Sequence, residues 1–196
     1  MNYKDAQVAV FKYLLARHQE NPGFRFSLRN NFATDGSSGL FIGTDKKTSY
    51  FGFTLWYIPL FLKGATGDLL DYAVEWSPNK QSVRLVLQYL ISKEAEGEQN
   101  KASLALEPAL LNHLPAIAWQ PIKEFNKLAR LHYVAHEDIT TVSELVEKLD
   151  ELIGETLLGV DAAIEEVKQD LPAWEAGHYG EAHFNQMLTR VYKMKG

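Results

Sequence analysis

Two stretches of alternating residues, joined by a short turn, constrain the fold of this chain more than any other feature. Apolar residues occupy every second position in residues 70–76 and again in residues 83–91, and Ser77, Pro78 and Asn79 begin the turn between them. A period of two is typical of strands with one buried face, and so short a turn joins such strands as an antiparallel pair. The sequence therefore predicts a β-hairpin over residues 70–91.

Further strand patterns precede this hairpin, in residues 24–28, residues 40–43 and the aromatic run of residues 50–61. Together with the hairpin they predict about five strands within residues 24–91. The connections are too short for the helical crossovers that parallel strands need, so we expect a twisted sheet that is antiparallel or mixed. One face of the aromatic strand, bearing Phe51, Phe53, Leu55 and Tyr57, is expected to pack into the core.

Helical patterns flank the predicted sheet. An N-terminal helix is expected to be capped by Asp5 and to end at the Asn-Pro-Gly sequence of residues 21–23. Thr141, with a glutamate three residues later, has the pattern of a capping box. It predicts the start of an amphipathic C-terminal helix of about 28 residues, which packs against the sheet and bends or breaks at Gly154 or Gly159.

The segment between the sheet and the long helix has two interpretations. Residues 121–130 favour a helix, whereas residues 128–135 have the character of a last strand, which we prefer. Residues 107–114 predict a short helix with a proline in its first turn. At 196 residues and 46% hydrophobic content, the chain is long enough for a single α+β domain, sheet-rich over residues 1–92 and helix-rich over residues 100–196.

The composition indicates a cytoplasmic protein that does not enter a membrane. The chain contains no cysteine, which fits a reducing compartment and excludes disulfides and thiolate chemistry. The N-terminal residues lack the basic and apolar segments of a secretion signal, and no run of about 18 apolar residues occurs. We therefore expect neither a leader nor a membrane span.

The formal charge of −5 is unevenly distributed. Residues 137–170 contain eleven acids and two lysines, a net −9, so the rest of the chain sums to +4. Residues 1–91 carry ten Lys or Arg against seven Asp or Glu, a net +3. The predicted sheet is thus mildly basic and the long helix strongly acidic, which leaves nucleic acid open as a partner of the sheet.

The aromatic run and its basic neighbours predict a recognition surface. Half of residues 50–61 are aromatic. Aromatic rings stack on nucleobases, and Arg and Lys contact phosphates. We therefore expect a non-enzymatic module that binds nucleic acid through one face of the sheet. By analogy with small modules of prokaryotic defence proteins, we expect it to be part of such a defence system. The candidate ligand-binding residues are Tyr50, Trp56, Tyr72, Trp76, Arg25, Arg29, Lys46, Lys47 and Arg84.

Two alternative functions stay open. The first is a protein-interaction or inhibitor module whose acidic helix engages a basic partner. The second is a metal-dependent hydrolase using His132 and His136, although Tyr133 stands where the zinc-peptidase motif needs a glutamate. We assign no catalytic, metal-binding or cofactor-binding residue and expect no cofactor. The acids expected to carry protein binding are Glu147, Asp150, Glu151 and Glu155.

Overall fold

The computed structural model describes residues 1–28, 49–56, 70–77, 80–92, 108–114, 120–125, 128–169, 185–186 and 189. In this part of the chain, one helix precedes an antiparallel sheet and another follows it, which confirms the predicted α+β class. The helices are α1 (Tyr3–Glu20), α2 (residues 108–113) and α3 (Val142–Val167), and residues 185, 186 and 189 are also helical. The strands are β1 (Arg25–Leu28), β2 (Ser49–Trp56), β3 (Leu70–Ser77), β4 (Ser82–Ser92), β5 (Gln120–Phe125) and β6 (Leu128–Ile139).

The described strands form one antiparallel sheet in the order β1-β2-β3-β4-β6-β5. The predicted hairpin is confirmed, because β3 and β4 pair from Leu70 opposite Tyr89 to Ser77 opposite Ser82. Four described strands begin within the segment for which about five were predicted. Residues 40–43, the remaining candidate, lie outside the described residues, so that count stays a prediction.

The preferred strand after the hairpin is confirmed, and the helix considered for residues 121–130 is wrong. Strands β5 and β6 pair there, with Pro121 opposite Leu131, and β6 also pairs with β4. Helix propensities differ by at most about 0.7 kcal/mol per ordinary residue, so the backbone hydrogen bonds of a two-sided strand pairing outweigh them. Pro121, which has no N–H to donate, lies in β5 at the end of the described strand order, a place where a sheet tolerates proline.

One face of the sheet carries the hydrophobic core, and we call it the inner face. Alternation along the strands and the pairing registers assign to it residues that are at most 5% exposed: Phe26, Phe53, Leu55, Val74, Val83, Leu85 and Leu87. Residues of α1, α2 and α3 complete the same buried cluster, among them Leu14, Leu110 and Leu149. The expectation that Phe53 and Leu55 pack into the core is confirmed, and the helices therefore cover the inner face.

The cap of α1 differs from the prediction. The residue that caps the helix is Asn2, whose side-chain oxygen accepts the Asp5 backbone N–H at 2.8 Å. Asp5 lies inside the first turn and its carboxylate accepts a hydrogen bond from the Asn2 side-chain amide at 2.5 Å. Asn2 has extended backbone angles, as a capping residue must, whereas Asp5 is already helical. The C-terminal end is confirmed, with Asn21 as the cap.

The start of α3 is confirmed, the break predicted at Gly154 or Gly159 does not occur, and the alternative bend stays a prediction. The Thr141 hydroxyl accepts the Glu144 backbone N–H at 3.2 Å, and the Glu144 carboxylate accepts the Thr140 N–H at 3.3 Å. The helix continues without a break through Gly154 and Gly159 to Val167. Cooperative hydrogen bonding and burial of the inner side of α3 hold both glycines in helical conformation despite their entropic cost.

Candidate functional site

Helix α3 presents an acidic surface to solvent. The helix contains eight acids and one lysine, a net charge of −7. Its side away from the core, which we call the outer face of α3, consists of exposed or half-buried residues: Glu147, Glu151, Gly154, Glu155, Leu158, Asp161, Ala162 and Glu165. These residues recur at spacings of three and four and therefore lie in one band along the helix.

Some acids of α3 are already engaged by other elements. The Asp150 carboxylate accepts a hydrogen bond from the Tyr13 hydroxyl at 2.6 Å and lies 4.0 Å from the Arg17 guanidinium, so it joins α3 to α1. At the far end, Glu166 contacts the His113 ring at 2.6 Å and so joins α3 to the end of α2. Asp150, predicted from the sequence to bind a partner, is therefore a residue of the contact between the two helices.

Two acids of the outer face of α3 are paired with lysines, and two others form no ion pair among the described residues. Glu151 accepts a hydrogen bond from Lys148 at 2.9 Å, which raises the pKa of the lysine, and Glu165 pairs with Lys168. In the part of the chain that the structure describes, neither Glu147 nor Glu155 lies within ion-pair distance of a basic side chain. The surface consequently retains an unneutralised negative field that attracts cationic partners.

An exposed leucine lies in the middle of this acidic band. Leu158 is 72% exposed, and Leu111 of α2, at 38%, is the other large apolar side chain exposed among the described residues. One turn before Leu158, a Cβ added at Gly154 would meet no atom within 4 Å. The helix surface therefore carries an apolar projection beside an open position, and both are flanked by carboxylates.

Gly159, next to Leu158 in the chain, has the opposite surroundings. A Cβ at this position would lie 2.6 Å from the His113 carbonyl oxygen and 2.8 Å from a Leu114 methyl carbon. The missing side chain thus allows the end of α2 to pack directly on the α3 backbone. This packing, with the contact between His113 and Glu166, fixes one border of the outer face of α3.

The second candidate surface is the face of the sheet opposite the core, which we call the outer face of the sheet. The registers pair Arg25 with Trp56, and Tyr50 with Glu75, which in turn pairs with Arg84. Directly paired residues share a face, so these positions form two rows on the outer face. Tyr72 and Trp76 belong by register to the inner face, opposite Leu87 and Val83.

Arg84 and Glu75 form an ion pair on the outer face of the sheet. Arg84 donates two hydrogen bonds to the same Glu75 oxygen, one of them from Nε at 2.9 Å, and the Glu75 side chain is only 22% exposed. Val86, two residues along β4 on the same face, is fully buried outside the core cluster. The outer face of the sheet is therefore shielded from solvent at Val86, and its central arginine, Arg84, donates its hydrogen bonds to a carboxylate.

Of the other predicted residues, three lie outside the described residues, and the two histidines are located by their strand register. Arg29, Lys46 and Lys47 lie outside the described residues. His132 is in register with Gln88 and Gln120, and His136 with Leu85. No group of three or more metal-ligating side chains occurs among the described residues. The nucleic-acid and metal hypotheses stay predictions.

No known protein family, curated protein or solved structure matches this chain. Within the described ranges, no helix has the length and apolar character needed to cross a bilayer.

The sequence alone indicates that Leu158 is exposed. Leu157 and Leu158 are adjacent, and neighbouring positions of a helix point about 100° apart, so both cannot lie at the centre of one apolar stripe. Leu157 is half-buried at the edge of the stripe, and Leu158 lies opposite its centre. A helical wheel drawn from the sequence is therefore sufficient to find it.

Proposed function

We propose that this chain is a protein-recognition module that binds a basic partner through the outer face of α3. The observation that carries the proposal is the combination of a net charge of −7 along α3 with two outer-face acids, Glu147 and Glu155, that form no ion pair with a basic side chain in the part of the chain that the structure describes. Such a field accelerates the encounter with an oppositely charged protein and disfavours anionic partners. The adjoining inner side of the same helix is buried, which holds the surface rigidly in place.

Leu158 adds an apolar centre to this surface. Protein interfaces generally combine a desolvated apolar centre with a polar rim, and the outer face of α3 has this arrangement on a small scale. An isolated exposed leucine is common on protein surfaces, so the proposal rests on the charge, and the leucine supports it.

The test is a titration with a synthetic helical peptide that contains only lysine and glutamine, which isolates charge. Replacing Glu147, Glu151 and Glu155 by glutamine removes three carboxylates without touching the contact of Asp150 with α1. At about 0.5 kcal/mol for each exposed ion pair, we expect roughly tenfold weaker binding at low salt. The matched control replaces the same residues by aspartate, keeps the charge, and should bind nearly as the parent does.

Two results of this titration contradict the proposal. The parent chain fails to bind the peptide at low salt, or the glutamine and aspartate variants bind it equally. Circular dichroism on both variants establishes that the helix is retained, so that a loss of binding reports charge and not unfolding.

The second candidate function is the predicted binding of nucleic acid through the outer face of the sheet. The observation that favours it is the register of Arg25 with Trp56, which brings a basic and an aromatic residue side by side. The test is a titration of single- and double-stranded DNA and RNA at micromolar protein and low salt. Salt-sensitive binding that is lost in Arg25→Gln but kept when Glu147, Glu151 and Glu155 are neutralised supports it, and no binding refutes it.

A further inference from the structure

We propose that Leu158 and the open position at Gly154 form an apolar contact point for a basic amphipathic helix, an inference that rests on the proposed function and specifies its partner. The two positions are one helical turn apart on the outer face of α3. Leu158 projects with 72% of its surface exposed, and the space over Gly154 holds no atom within 4 Å of a built Cβ. A side chain from the partner fits over Gly154 and packs against Leu158.

The acids around this point specify the charge of the partner. Glu151 and Glu155 lie beside it towards the start of the helix, and Glu165 lies two turns beyond Leu158 towards the end. A cationic side chain on each flank of the partner's apolar residue pairs with these carboxylates, replacing Lys148 at Glu151 and Lys168 at Glu165, while the centre excludes water. The matching sequence has apolar residues at spacings of three and four with Lys or Arg on both sides.

The shape of the surface favours a helix as the occupant. Helix α3 has 26 residues, and at 1.5 Å per residue it is about 39 Å long. A helix laid along it meets Gly154, Leu158 and Ala162 at successive turns, and the small residues at 154 and 162 permit a close approach. A second copy of this chain does not fit, because pairing two α3 helices opposes two net charges of −7.

The experiment compares two lysine-rich helical peptides of equal length and charge: one has leucine at its apolar positions, and the other has glutamine there. Glutamine keeps the helix propensity, so the peptides differ in apolar surface. We expect the leucine peptide to bind the parent chain about tenfold more tightly than the glutamine peptide. Leu158→Ser should remove that advantage and leave the affinity for the glutamine peptide unchanged.

Matched variants test whether the tighter binding of the leucine peptide depends on the contact point formed by Leu158 and Gly154. Leu111→Ser removes the other exposed leucine, on α2, and should leave both affinities as in the parent. Gly154→Leu fills the open position and should weaken binding of the leucine peptide severalfold, without a clash because no neighbouring atom lies close to this position. Sedimentation of the parent alone tests the other occupant: a dimer that Leu158→Ser dissociates overturns the inference in favour of a second copy.

The outcomes separate this inference from the function on which it rests. If both peptides bind the parent equally and Leu158→Ser changes neither, the partner is recognised by charge alone, so the contact point is refuted and the proposed function stands. If neither peptide binds at low salt, both fail. If Leu158→Ser weakens both peptides equally, the contact point is also refuted, because a specific apolar contact affects only the leucine peptide.

Discussion

The inner and outer sides of α3 use the same residue types for opposite purposes. Leu149 is 1% exposed and belongs to the core, whereas Leu158, in the same helix, is 72% exposed. Gly159 is in contact with the end of α2, whereas Gly154 faces open space. The comparison teaches that position around the helix, and not residue type, decides whether a residue holds the fold together or remains available to a partner.

The largest test of this comparison is a pair of leucine truncations. Leu149→Ala leaves a cavity in the core and should lower the free energy of unfolding by about 2–5 kcal/mol. Leu158→Ala removes no buried contact and should change it by less than about 0.5 kcal/mol. Urea unfolding followed by circular dichroism measures both. Similar losses of unfolding free energy in the two variants would contradict the distinction between the inner and outer sides of α3.

A pair of glycine substitutions comes next in size. Gly159→Ala places a methyl group 2.6 Å from the His113 carbonyl oxygen, so the backbone of α2 must shift, and we expect a loss of about 1–3 kcal/mol in stability. Gly154→Ala meets no atom and improves helix propensity, so it should gain about 0.5–1 kcal/mol. Thermal unfolding decides the signs, and a stabilising Gly159→Ala would contradict the close packing of α2.

A smaller effect distinguishes two acids of α3. Asp150→Ala removes the hydrogen bond from Tyr13 and the ion pair with Arg17, and should cost about 0.5–1 kcal/mol because the pair is partly exposed to solvent. Glu147→Ala removes no such contact and should be nearly neutral. Chemical denaturation of the two variants measures this difference between a carboxylate that stabilises the fold and one that does not. Equal losses of stability would contradict it.

The smallest effect concerns Asp138, whose charge, unlike those of Glu147 and Glu155 on the outer face of α3, is matched by a lysine. Its hydrogen bond and attraction to Lys80 lower the pKa of the carboxyl. A lowered folded-state pKa stabilises the fold above the unfolded value of about 3.9 and loses that contribution as pH falls through the folded value. Lys80→Met should therefore melt at a slightly lower temperature than the parent near about pH 6, and the two curves should converge as pH falls below the folded-state pKa of Asp138. A difference that persists in acid would contradict this origin.

Local patterns predicted the parts of the fold that local interactions determine. The capping box at Thr141 and the long stripe of α3 depend on residues a few positions apart, as does the β3–β4 hairpin. The β5–β6 hairpin was harder to predict, because its pairing with β4 joins residues far apart in the chain and overrides a local helix preference. The cap of α1 was misassigned because Asn2 and Asp5, three residues apart at the helix start, both have capping side chains, and only backbone angles decide between them.

The candidate surfaces were predictable to different degrees. The acidity of α3 is a property of composition, but the engagement of Asp150 by α1 is a tertiary contact that the sequence does not encode locally. The pairing of Arg84 with Glu75 follows from the register of a hairpin that was itself predicted, so it was within reach of the sequence. The division of Tyr50 and Trp56 from Tyr72 and Trp76 also depends on register, which alternation within one strand cannot fix.

The most direct test of the outer face of α3 as the recognition surface is an NMR titration of the isotope-labelled chain with the leucine peptide. Chemical-shift changes should cluster at the amides of Glu151, Gly154, Glu155 and Leu158, and the amides of Arg25 and Arg84 should remain unchanged. Changes concentrated in β1 and β2, or no saturable change in α3, would contradict the proposal.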